Sequence, residues 1–151
     1  MTSSKSFRPV AAPRIPRVGL AWVGLCLALA VHVADEAVTD FLSVYNPIAR
    51  SIREAAPWLP IPIFEFNGWL AGLIAAVVAL LALSPWVYRG TRSSRAIAYA
   101  FSILMALNAL AHCVGSLVLG RAMPGVYSSP LLFVAAALLL LSLLKTRVRS
   151  W

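Results

Sequence analysis

Acidic residues are scarce in this chain: five Asp and Glu stand against thirteen Lys and Arg, a formal charge of +8. Charged residues total only 12%, against roughly 25% in soluble domains. A soluble globule of 151 residues built this way has too little polar surface to cover itself. Cysteine is also rare. Cys26 and Cys113 both lie inside apolar runs and form neither a CxxC pair nor a zinc spacing, which excludes a paired-cysteine redox centre. Both read as small buried apolar residues. No internal period marks a repeat array, and no segment alternates apolar and polar residues as β spans require. The basic residues fall mostly at the ends of apolar runs, not on a polar face. That pattern fits membrane topology and contact with anionic lipid head groups, and it sets nucleic acid aside.

What the chain does have is hydrophobic length, with 61% apolar residues gathered in four runs. The reading is all-α: an integral membrane bundle of four transmembrane helices over about 18–42, 63–88, 96–119 and 127–144. Each run matches the roughly 20 residues needed to cross the hydrocarbon. Residues 1–17 read as a disordered basic tail, and 145–151 as a second basic tail. The first run follows basic residues as a signal peptide would. It ends in His-Val-Ala-Asp-Glu with no clean cleavage site, so it is expected to be retained. Between the first two runs, residues 43–62 hold a short mixed stretch followed by Pro57, Pro60 and Pro62. This predicts an interfacial helix ended by proline, with Trp58 at head-group level.

Counting Lys and Arg sets the orientation. Ten lie in the two tails and the 89–95 turn, and three (Arg50, Arg53 and Arg121) lie on the opposite side. Basic residues favour the cytoplasmic side, so the chain is expected N-in and C-in, as a multi-pass protein of the inner (plasma) membrane. The same imbalance argues against a dual-topology multidrug antiporter.

The embedded polar residues fall in one layer. His32, Asp35, Glu36 and Asp40 share one face of the first span, within an arc of about 140°. His32 lies about 21 Å above the inner boundary, and His112 about 24 Å above it on the third span. Asn108 and Ser116 are each one turn from His112, while Glu65 and Asn67 open the second span and Tyr127 opens the fourth. Ionisable groups in a span cost roughly 2.5–3.5 kcal/mol each, so groups gathered at one depth are expected to face one another or a wet cavity. Asp40 and Glu65 also fit plain interfacial residues, Tyr127 fits an aromatic belt, and Asn108 fits an interhelical hydrogen bond.

Imidazole and carboxylate side chains suit a divalent metal such as Zn or Fe, and an i, i+4 His–Glu pair is able to hold one ion. His32, Glu36 and His112, with Glu65 as a further candidate, are the expected ligands. The same residues with Asp35 and Asn108 equally suit metal-free acid/base chemistry. His32-Val33-Ala34-Asp35-Glu36, an embedded Asn108 and His112, and the Pro124-Gly125/Tyr127 turn together resemble the HXXEE-domain membrane proteins. These are small bacterial multi-span proteins named for that motif. The resemblance covers about Gly19 to Leu144. Asp35 replaces the first glutamate of the motif, one methylene shorter. The order Met123-Pro124-Gly125-Val126-Tyr127 departs from a Tyr-x-Pro-Gly-like turn. The resemblance implies a shared site and supplies no reaction.

Three functions fit these residues. One is a membrane enzyme acting on a lipid or apolar small molecule that enters sideways, with His32, Glu36 and His112 as ligands or acid/base groups, Asp35 orienting and Asn108 donating. Another is a carrier or sensor of a proton, metal ion or small ligand. The last is an accessory subunit, alone or in an oligomer, whose polar layer only joins helices.

Overall fold

The computed structural model describes residues 17–148, and among them every regular element is a helix. The tail segments 1–16 and 149–151 lie outside the described residues. Helix α1 (Arg17–Val38) buries Trp22, Leu25, Cys26, His32, Val33 and Glu36 along one stripe, while Leu20, Leu27, Val31 and Val38 stay exposed on the other. The expected continuation of this span to Leu42 does not occur. Asp40 takes a left-handed conformation (φ 58°, ψ 55°), which aspartate tolerates better than most residues. The chain turns there, and α2 (Phe41–Ala55) starts in a new direction.

Helix α2 is amphipathic, and it stops before Pro57 because proline disfavours helical backbone in its predecessor; Ala56 is non-helical at φ −139°, ψ 76°. The side chain of Asn46 then clasps the backbone of Phe64 on both sides, its amide donating at 2.9 Å and its carbonyl accepting at 3.1 Å. With the Tyr45 hydroxyl donating to Pro62 O, this ties α2 to the stretch leading into α3 (Phe66–Ala82). Pro85, in the first turn of α4 (Ser84–Tyr88), separates α4 from α3. The expected second span is thus two helices in tandem, beginning at Phe66 and not at Ile63.

Thr91 caps α5 (Arg92–Leu119) by accepting from the Ser94 N–H, and Gly120 ends it at φ 62°. The loop from 120 to 128 leads into α6 (Ser129–Val148), which therefore absorbs the start of the expected C-terminal tail. Leu132, Ala136, Leu139 and Leu143 of α6 are fully buried. Their spacing forms the seam on which α5 and α1 both pack, and α3 packs against α1. Trp22 anchors the opposite end of the core, donating from its indole to Leu80 O at 3.1 Å and packing against Phe101.

The outer faces are apolar: Val38, Leu117 and Val118 are 82%, 81% and 79% exposed. So much contiguous exposed hydrocarbon calls for a lipid surround. Three stretches, Arg17–Val38, Phe66–Tyr88 and Arg92–Leu119, are long and apolar enough to cross a membrane; the apolar part of α6, Ser129–Lys145, is shorter.

Candidate metal centre

α1 and α5 converge where α1 gives way to α2, at the end of the bundle that carries the 120–128 loop. Their contact is polar. His32 and Glu36 are one turn apart on the buried stripe of α1, so both side chains reach toward α5. His112 meets them there: its ring lies 4.8 Å from that of His32, edge-on at 81°. Glu36 Oε1 lies 3.1 Å from His112 Nε2 and 3.5 Å from His32 Nε2. All three residues are buried, and their donor atoms lie within 4.8 Å of one another.

Hydrogen bonds fix which way each imidazole turns. His112 Nδ1 faces the backbone oxygen of Pro124. A carbonyl only accepts, so Nδ1 carries a proton, and Nε2 is the ring atom that faces Glu36. Around His32 the argument takes one more step. The Ser128 hydroxyl lies 2.7 Å from Asp35 Oδ2, 3.2 Å from Gly125 O and 2.9 Å from His32 Nδ1. Its single proton goes to the carboxylate, so His32 Nδ1 donates to the Ser128 oxygen and Nε2 is left bare. Asn108 agrees, since its amide nitrogen donates to that Nε2 at 3.0 Å. The His32 lone pair, His112 Nε2 and a carboxylate oxygen therefore point at one small volume, and positive charge, as a proton or a metal ion, belongs among them.

The supports come from four directions. Asp35 Oδ2 also accepts the Ser128 N–H at 2.8 Å, so α1 caps the start of α6, where a carboxylate is favoured by the helix dipole. Thr39 donates to Asp35 O and accepts from the Gly125 N–H at 3.3 Å. Ser116 accepts from Met123 N–H and donates to His112 O, anchoring the loop to α5. Phe41, the first residue of α2, lies between His112, tilted at 5.9 Å, and Trp69, stacked at 5.8 Å.

Of the residues singled out in the sequence, His32, Glu36 and His112 form the cluster, with Asp35 and Asn108 bonded around it. Glu65 does not join them. It ends the extended stretch before α3, exposed and one residue outside the helix, because Asn46 holds the preceding backbone. Asp40 is exposed at the left-handed turn, and Tyr127 is 72% exposed. The sequence does not single out Ser128, Thr39 or Phe41, and it marks Gly125 only within the Pro124-Gly125 turn. The Ser-Ser-Pro start of the last apolar run is a helix N-cap signal that marks Ser128 as a backbone-capping residue, but nothing local ties it to His32.

A helical membrane protein with a buried His/Glu cluster between two helices is the class that this fold and site define. The chain belongs to the family of proteins of unknown function with the HXXEE motif, whose model matches residues 22–140. No curated protein and no solved structure matches it.

Proposed function

We propose that the protein is a membrane-embedded, metal-dependent enzyme in which His32, Glu36 and His112 hold one divalent ion, Zn or Fe(II), and the substrate is a lipid or other apolar molecule. The observation that carries this reading is the convergence of three electron-pair donors, each imidazole already turned by its Nδ1 partner. Bonds of 2.0–2.2 Å to a tetrahedral ion set ligand atoms about 3.4 Å apart, and Glu36 Oε1 lies 3.1 and 3.5 Å from the two nitrogens. Two His and one Glu also leave a coordination position open, as catalytic sites do. The apolar outer faces favour a substrate that arrives through lipid.

The test is elemental analysis of the full chain purified in mild detergent without chelators. The reading expects close to one Zn or Fe per chain in the wild type and a small fraction of that in His32→Ala and His112→Ala. Wild-type protein that takes up neither metal, even on reconstitution, would sink it. One observation favours a second reading, a metal-free acid/base pair: 3.1 Å is also a hydrogen-bond length once a proton lies between Glu36 and His112. A catalytically active, metal-free preparation would select that reading.

The proposal includes four spans, N-in and C-in, in the inner (plasma) membrane, with α2 on the outer surface and the site in the outer half of the bilayer. The ten-to-three distribution of Lys and Arg supports it. The apolar part of α6, Ser129–Lys145, meets the lower end of the roughly 17–25 residues that a span needs. Cysteines introduced at Ser51 and Ser94, in a background lacking Cys26 and Cys113, are expected to react with an impermeant reagent from opposite sides. Reaction of both from one side would exclude this arrangement.

A further inference from the structure

An imidazole Nε2 has one lone pair, and in His32 that pair already accepts from the Asn108 amide at 3.0 Å. It cannot accept this hydrogen bond and bind a metal ion at once. Resting on the metal reading above, we infer that Asn108 and the ion compete for His32 Nε2, and that loading the ion releases the Asn108 amide to bind an oxygen of the group in the open coordination position. Asn108 is therefore a substrate-facing residue in the loaded protein and a latch on His32 in the metal-free one.

Two features of the fold make the second role available. Asn108 is one turn from His112 on α5, so its amide stays beside the ion after it leaves His32. It also lies at the edge of the buried face: Leu104, one turn before it, is 60% exposed, and Ala111 on the same side is exposed too. A molecule sliding in from lipid along that strip meets Asn108 next to the ion. The substrate class this fits is an apolar chain ending in a carbonyl or phosphoryl oxygen, which takes one hydrogen bond from the amide and one bond from the metal.

The test loads purified protein with Co(II), followed by its visible spectrum, and then adds azide as a one-point ligand for the open position. Asn108→Leu removes the competitor for His32. It is expected to bind Co(II) about two- to tenfold more tightly than wild type, the worth of one hydrogen bond. The loaded variant is expected to bind azide about tenfold more weakly. Opposite shifts for the two ligands are not what a purely structural asparagine produces. Weaker or unchanged Co(II) affinity, or unchanged azide affinity, would overturn the inference while leaving the metal site standing. Wild-type protein that binds no Co(II) would overturn the metal reading, and this inference with it. If Asn108→Leu fails to fold, the wild type still decides: the ¹⁵N resonance of the Asn108 side-chain amide should move on metal loading, and an unmoved resonance contradicts the release.

Discussion

Glu36→Gln is expected to weaken binding of the divalent ion by more than about 100-fold while the metal-free protein keeps its fold. Glu36 supplies the only negative charge in the cluster, and its Oε1 is the atom both histidines face. Residues that merely orient metal ligands are worth 10–100-fold in affinity, so loss of the sole anionic ligand exceeds that range. The metal-free variant is expected to melt in detergent at the wild-type temperature or above it. A buried carboxylate costs desolvation, and its neutral isostere removes that cost without changing shape. Isothermal titration with Zn(II), paired with a melting curve, reads both effects. A variant that keeps wild-type affinity would remove Glu36 from the site. One that unfolds would make it a structural residue.

Gly125→Ala is expected to disable the site from the loop. Gly125 sits at φ 82°, where a Cβ costs on the order of 1–2 kcal/mol in backbone strain. That Cβ would also lie 2.8 Å from His112 Cε1 and 3.0 Å from both Glu36 Cγ and His112 Nδ1. Backbone lies on one side of the intruding methyl and two metal ligands on the other, so the ligands are displaced. Gly120→Ala is the matched control: Gly120 also has positive φ, at 62°, but a Cβ there meets nothing within 4 Å. Both variants should lose stability, and only Gly125→Ala should lose metal affinity, by at least about tenfold. Equal affinity in the two would show that the loop does not bear on the ligands.

How much of this was legible in the sequence depended on whether the signal was periodic. Helix rise alone placed His32 and His112 at one depth, and their rings are in contact. The i, i+4 spacing put Glu36 on the same face as His32. The break at Asp40 is not legible, because the helical spacing of His32, Asp35, Glu36 and Asp40 continues up to it and the left-handed turn depends on a single residue. Glu65 stands outside the cluster for a similar reason: the apolar run begins before the helix does, and only the Asn46 clasp shows where the backbone becomes helical. Ser128 and Gly125 act from a loop far from α1 in sequence. Their contacts with His32, Asp35 and Glu36 are purely tertiary, and no periodicity reports them. Two histidines and one glutamate could be nominated as ligands from the chain, but the tautomer of each histidine needed Pro124 and Ser128 in place.

X-ray absorption at the metal edge of the purified, metal-loaded protein tests the central claim most directly. The account predicts a first shell of nitrogen and oxygen at 2.0–2.2 Å, with the outer-shell scattering of two imidazoles. Changing His112 to Ala should remove one of them. A shell containing sulfur, which would implicate Cys26 or Cys113, or a shell of oxygen alone with no imidazole signal, would contradict it.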